Sequence, residues 1–402
     1  MESGKPLHGL VVVDFTSFVA APSASLILGY LGAEVIKVEP LRGELIRPGG
    51  ARLRLPCTDE DNVLYDTCNS YKKDISLDLR ADKGREIMHR LLASADAFVT
   101  NYRLKALEGI GITYEEVKAY NPAIVYAHFT GLGEEGPDAG ALSFDGLTYF
   151  ARGGVGATVQ YKGLPPIITP YGTGDLTSGL ALLSGVLAGL LKAKMTGEGS
   201  KVTSSLLSNG LWTLNCCLPQ SQYVGDIRPS LGPEHQQFFA CADGIEMRIF
   251  LSPPERYWKP VCRAFGLEEY LEDERFCTFA AQREHMAELK ELIRNTVAQK
   301  TFAEWQPSIR EADAPCGRVQ NPVEASQDPQ AVANHYVSEV EYPNLGRSIT
   351  MAMPPIKMDC IPEEPRPRGP RLGEHTSEIL AQVGYSEEEI AAILSKGTAR
   401  QA

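Results

Sequence analysis

The sequence predicts an α/β protein, and three observations carry that reading. The chain opens on LVVVDF (10–15), a continuous apolar run of strand length, as expected for a strand buried on both faces of a parallel sheet. Strand and helix patterns then alternate as far as residue 131, which is the signature of stacked βαβ units. Between about 225 and 318 the texture changes to charged helical stretches, which predicts a smaller second domain. A chain of 402 residues is long enough for more than one domain.

Taken in order, LVVVDF is followed by APSASLILGYLG (21–32), with Pro22 where the first turn of a helix tolerates it. AEVIKVE (33–39) is the second strand. DISLDL (74–79) and DAFVTNY (96–102) read as strands around an amphipathic helix at 82–95. TYEEVKAYN (113–121) is a helix and AIVYAHFTG (123–131) a strand. A helix beginning near Leu176 carries Gly179, Ser184, Gly185, Ala188 and Gly189, small residues that admit a close neighbour. SKVTSSLL (200–207) closes the first region. In the second, GIEMRIFLSP (244–253) is a strand, and helices are expected around 254–266, 282–298 and 302–312. Residues 347–358 return to mixed structure, IPEEPRPRGP (361–370) reads as a linker, and 375–394 as two short helices.

Composition removes several functions. A net charge of −12 argues against general affinity for nucleic acid or an anionic membrane. The nine cysteines show no paired CxxC spacing, and the seven histidines form no HExxH or ligand cluster, so neither a metal site nor a disulfide scaffold is expected. The N-terminus lacks a signal-peptide core, and the apolar run at 179–192 is short and glycine-rich for a membrane span. The expectation is a cytoplasmic protein.

Two motifs compete for function. GLGEEG (131–136) fits G-x-G-x-x-G after a strand, which would suit a nicotinamide-linked oxidoreductase. Its two glutamates would repel a pyrophosphate, however, and Pro137, Asp138 and Gly140 prolong a loop where a helix is required, so it reads as a turn. The second is YGTGDLTSG (171–179), whose lone acid, Asp175, heads an apolar helix. Aspartate is a preferred helix N-cap. Equally, Gly172 and Gly174 would leave bare amides beside a carboxylate nucleophile. Basic residues gather near the N-terminal strands: Arg42, Arg47, Lys72, Lys73, Arg80, Arg103 and Lys105. They read either as a solvated face or as partners for a phosphate-bearing ligand over the strand ends.

Several stretches together resemble the class III (CaiB/BaiF-type) coenzyme A transferases: GLVVVDFTSFVAAPSASLILGYLGAEVIKVEP, NSYKKDISLDLRADKGREIMHRLLASADAFVTNYR, NPAIVYAHFTGLGEEGP, TGDLTSG with its TGEGSKV ending, and RLGEHTSEIL. The resemblance implies a Rossmann-like large domain (1–224), a smaller inserted α+β domain (225–318), a C-terminal segment returning to the large domain (319–402), and a homodimer of interlocked rings. It implies a metal-free exchange of coenzyme A between an acyl-CoA and a free carboxylic acid. Asp175 occupies the place of the nucleophile, forming first an anhydride and then an aspartyl-CoA thioester. For coenzyme A it points to Phe18 and Ala20, Leu77 and Arg80, and Asn101 and Tyr102, with Arg42, Lys72 and Lys105 as phosphate partners by charge.

The sequence also departs from the oxalate-handling members. Their CoA-binding arginine falls on Gly109, for which Arg103 or Lys105 is expected to compensate. A glutamine becomes Val19, an active-site tyrosine becomes Phe144, and 230–239 lacks their glycine run. FDGLTYFARGGVGATVQYKG (144–163) instead resembles transferases of 2-hydroxy and enoic acids, so an aryl or branched aliphatic monocarboxylate is expected. The α-methylacyl-CoA racemases of the same fold are the alternative, but their proton-carrying histidine is replaced by Phe144. A non-catalytic acyl-CoA-binding protein is the third reading, in which Asp175 would have no chemical role.

Overall fold

The computed structural model describes residues 4–167, 169–228 and 236–402. They form two compact units, one of residues 1–159, 166–227 and 329–402, the other of 160–165 and 228–328.

The first unit is built on strands β1 (Val11–Phe15), β2 (Glu34–Glu39), β3 (Lys73–Leu77), β4 (Ala97–Thr100), β5 (Val125–Thr130) and β6 (Ser200–Ser205). All five contacts among them are parallel, in the order β3-β2-β1-β4-β5-β6. That is the order of doubly wound nucleotide-binding sheets, in which connections diverge on either side of β1. Register is held by apolar pairs such as Val12 opposite Val35 on one side and Ala97 on the other. A two-residue strand, Ala399–Arg400, adds antiparallel to β3; nothing in GTARQA announces it.

Helices α1 (Ala20–Tyr30), α2 (Val63–Asn69), α3 (Asp82–Ser94), α4 (Leu104–Gly109), α5 (Tyr114–Tyr120), α6 (Val155–Thr158), α7 (Thr173–Thr196) and α8 (Leu206–Thr213) complete the frame. One core lies between the sheet and α1 and α7, including Val12, Ala24, Val125, Leu182 and Val186; the other, with Ile75, Ile87, Leu91 and Phe98, lies on the opposite face. The small residues of α7 do what their size predicts. A Cβ at Gly179 would stand 2.6 Å from the Ala20 carbonyl, so glycine there lets α7 press against α1.

Among the described residues α7 is the one helix long and apolar enough to cross a membrane, so the expectation that this run is too short does not hold. Its inner face is packed into the core just described. IPEEPRPRGP is likewise more than a linker. Arg366 is buried, donating to the Asp66 and Thr67 carbonyls and to Ser70 Oγ, and so ties the segment to α2.

The second unit has a three-stranded antiparallel sheet of Phe238–Ala240, Glu246–Ile249 and Cys316–Arg318. Helices Pro254–Phe265, Met286–Val297 and Phe302–Glu311 surround a core containing Trp258, Phe265, Ile293 and Trp305. The expected departure at 230–239 falls largely on residues 230–235, outside the described residues.

Candidate active site

The strand order places a switch point between β1 and β4, where open sheets of this kind leave a crevice beyond their carboxyl ends. The two strand ends are clamped there by one side chain. Asn101 accepts from the Ser17 amide (2.9 Å) and donates to the Ser17 carbonyl (2.7 Å). Next to Ser17, Phe18 is held in a left-handed conformation (φ 68°), which a side chain adopts only under constraint. The constraint is visible: its amide donates to Glu44 Oε2 at 2.7 Å, and Glu44 is buried against Lys37 at 2.8 Å.

A cleft of about 720 Å³ opens beyond the ends of β1 to β4. It is lined by Phe15, Arg42, Leu77, Arg80, Tyr102 and Ile110, among others. Phe15 and Tyr102 stack face to face, with centroids 4.1 Å apart, and burial pushes the Tyr102 phenol up to about 12. Four of the residues expected to hold coenzyme A thus meet in one place: Arg42, Leu77, Arg80 and Tyr102. Phe18, Ala20 and Asn101 belong to the adjoining loop and helix start. Phe15 and Leu79, at or just after strand ends, and Ala106 and Ile110, in and at the end of α4, were not singled out from sequence, since a lone apolar residue carries no mark of its function.

Burial separates the basic residues that sequence could not. Lys72 is a correction: its Nζ lies beside Asp14 Oδ2 (2.7 Å), the Pro22 carbonyl (2.9 Å) and Asn69 Oδ1 (2.9 Å). An ammonium has three donors, so none is left for a phosphate. Arg47 is similarly committed to Glu39 by two bonds of 2.8 and 2.7 Å, and Lys73 to Glu34 and Glu378. Arg80 is exposed and leans on Asp78 at 2.9 Å, a surface pair that a stronger anion can displace. Arg42, Arg103 and Lys105 are exposed, with no carboxylate partner among the described residues.

Asp175 lies in the first turn of α7, but it does not cap it. The N-cap is Gly172, at φ 80°, and Asp175 is the third helical residue. Left-handed Gly172 starts the helix earlier than the Leu176 expected from sequence, which carries the acid inside the turn. Asp175 is half-buried. Burial first, and then the negative charge of Asp145, raise its carboxyl to about 7. A helix N-terminus normally favours the anion, so here desolvation and the neighbouring acid outweigh the dipole.

The amides beside it are not bare, as the sequence suggested. Gly174 N–H donates to Asp145 Oδ2 at 3.2 Å. A side chain at Gly174 would overlap Asp145 Oδ1 and the ring of Tyr149, so glycine is required by this approach. Asp145 was missed as a partner because 29 residues separate it from Gly174 and no pattern links them. It precedes a π-helical turn, Gly146–Arg152, an irregularity frequent at functional sites. Next to it the ring of Phe144 meets Phe18 edge-on at 5.7 Å, and Val19 lies beside Gly172. GLGEEG is a turn without a following helix; Glu134 is engaged by His128 at 2.5 Å and Lys201 at 2.6 Å, which leaves no phosphate cradle.

The chain is similar to known proteins over nearly its whole length. A (R)-2-hydroxy-4-methylpentanoate CoA-transferase from Clostridioides difficile is 34% identical over 387 residues, covering 96% of this chain and 97% of its own. A cinnamoyl-CoA:phenyllactate CoA-transferase from Clostridium sporogenes is also 34% identical, over 391 residues, covering 95% and 94%. Among solved structures, a CAIB/BAIF family protein from Brucella suis superposes with a TM-score of 0.81 at 25% identity, covering 94% of this chain and 99% of its own. Rv3272 from M. tuberculosis superposes with a TM-score of 0.79 at 26% identity and the same coverage. The model of CoA-transferase family III matches residues 7–376, and this chain belongs to that family.

Proposed function

We propose that this protein moves coenzyme A from an acyl-CoA to a free 2-hydroxy or enoic monocarboxylate, aryl or branched aliphatic, with Asp175 as nucleophile. The observation that carries the reading is a half-buried carboxylate fixed in a helix turn, with no cation beside it among the described residues and an apolar edge-to-face pair, Phe18 and Phe144, close to the same turn. The two relatives are named for a branched and an aryl-bearing acid, and Val19 and Phe144 suit such side chains.

In this reading an Asp175 oxygen attacks the thioester carbonyl; a C–O bond forms, the C–S bond breaks and the pair leaves as CoA thiolate. The thiolate then attacks the aspartyl carbonyl of the anhydride, releasing the donor acid and leaving aspartyl-CoA. The acceptor carboxylate repeats the sequence in reverse. An anhydride retains the thioester's transfer potential, which attack by water would dissipate. Phe15, Leu77 and Tyr102 form the wall against which the nucleotide packs, and Arg42, Arg80, Arg103 and Lys105 meet its phosphates. No observation favours racemisation, since a phenyl ring at position 144 carries no proton.

We further propose a homodimer. Leu191, Met195, Trp212 and Tyr223 are 63%, 77%, 74% and 93% exposed, large apolar side chains of the kind a second subunit covers. The catalytic proposal is tested with acyl-CoA and hydroxylamine, followed by mass spectrometry. A hydroxamate on Asp175 is expected, together with transfer that requires both an acyl-CoA and an acid. An unmodified Asp175 peptide recovered during turnover would count decisively against it.

A further inference from the structure

We propose that Asp145 is a positioning residue that fixes the Asp175 turn and, by its negative charge, drives the nucleophile toward its acylated states. The inference rests on the reading of Asp175 as nucleophile. Its basis is geometric. Gly172 has no side chain with which to cap α7, and the Gly174 amide is satisfied by Asp145 Oδ2, brought in from the preceding loop. The approach is close enough that only glycine fits at 174. Asp145 Oδ1 is buried without a hydrogen-bond partner of ordinary geometry, and what favours this carboxylate's charge against its burial is the amides of Gly174, Asp175 and Gly172, all at the start of α7.

Among the described residues, the groups around the pair supply no compensating cation. The first turn of α7 carries only Asp175. The π-helical turn after Asp145 has Arg152, already paired with Asp138 at 2.8 Å. Tyr171 precedes the helix, and the remaining titratable groups within electrostatic reach of its ring are Cys68 and Glu44. From the loop after β1 come Phe18 and Val19, both apolar. Two carboxylates therefore lie close together in a partly dry turn, and the charge of Asp145 raises the energy of the Asp175 anion.

That repulsion has a direction in the reaction. It is present while Asp175 is a free carboxylate. It is relieved when attack on the thioester makes Asp175 an uncharged acyl group, the negative charge departing on CoA sulfur. Each covalent intermediate is thus favoured relative to the free enzyme. The same interaction makes the Asp175 oxygen more basic and a stronger nucleophile once ionised.

The test is Asp145→Asn, which keeps an oxygen for the Gly174 amide and removes the charge. Formation of aspartyl-CoA is followed in single turnovers from pH 5 to pH 8. The acid limb is expected to move down by about one pH unit, with a several-fold lower plateau. A limb that stays in place overturns the proposal whatever the plateau does, because a merely structural cap lowers rate or stability without moving it. Should Asp145→Asn fold poorly, Asp145→Ser serves. In that variant, infrared titration should show the Asp175 carboxyl falling from about 7 toward the ordinary range, and an unchanged Asp175 titration overturns the coupling. This readout does not depend on catalysis, so absence of a covalent adduct would sink the nucleophile reading separately.

Discussion

Asp14 and Asp175 are two carboxylates on either side of the same loop, at the end of β1 and the start of α7, and their surroundings are opposite. Asp14 is fully buried, yet it receives Lys72 at 2.7 Å and Ser25 Oγ at 2.5 Å, with Lys37 nearby. Burial pushes its carboxyl up, but the two lysines outweigh that and hold it below the usual value. Asp175 is less buried, has no cation among the described residues, lies near another acid, and is raised to about 7. The first arrangement makes a permanent ion and stabilises the loop that carries Phe18. The second makes an ion whose charge is readily given up, which suits the transient acyl carrier proposed for it. Charge pairing, more than depth, separates the scaffold acid from the proposed nucleophile.

The largest expected effect comes from breaking the paired side. Lys72→Met leaves Asp14 fully buried and deprived of its nearest counter-ion, a loss of about 3–5 kcal/mol for a buried pair. Denaturant unfolding should show a loss of that order, and much of the protein should be insoluble on expression. If Lys72→Met instead keeps its stability and only raises the KM for acyl-CoA, Lys72 is a phosphate ligand after all and the contrast with Asp175 collapses.

Gly174→Ala probes the unpaired side and should be smaller in stability but specific in activity. The added methyl overlaps Asp145 and Tyr149, so the turn must shift, at about 1–3 kcal/mol for an overpacked site. Because displacement of a reacting group by about 1 Å costs on the order of a hundredfold, transfer should fall far more than folding does. Equal losses in melting temperature and in kcat would show the turn to be structural only.

How much of this was legible in the sequence follows from the range of the interactions. The alternation of strands and helices rests on local apolar runs, and β1 through β5 lie where those runs predict them, whereas β6 falls in the polar SKVTSS, which carries no such run. Asp175 stood out because glycines flank it, but its place inside the turn depended on Gly172 adopting a positive φ. Lys72 and Arg42 look alike in a list of basic residues. What distinguishes them is Asp14, 58 residues from Lys72, and that pairing exists only once β1 and β3 lie in one sheet. The anchoring of Arg366 to α2, about 300 residues away in the chain, and the strand Ala399–Arg400 were hidden for the same reason.

The finest distinction between the two acids is in how each ties stability to pH. A raised carboxyl such as Asp175 binds its proton more tightly in the folded chain than in the unfolded one, where the ordinary value is 3.8. Between about pH 4 and pH 7 the fold therefore gains stability as pH falls, and above 7 the charged group is a burden on it. Asp175→Asn removes that burden. Its melting temperature should exceed the native protein's by a few degrees at pH 8, and the gap should close as pH is lowered to 5. Differential scanning fluorimetry over that range measures it directly. Asp14 titrates in the other sense, its lowered value making stability fall as acid is added, so the two contributions separate by sign. A gap for Asp175→Asn that is constant with pH would mean that Asp175 carries no raised carboxyl, and with it would go the electrostatic distinction between Asp175 and Asp14.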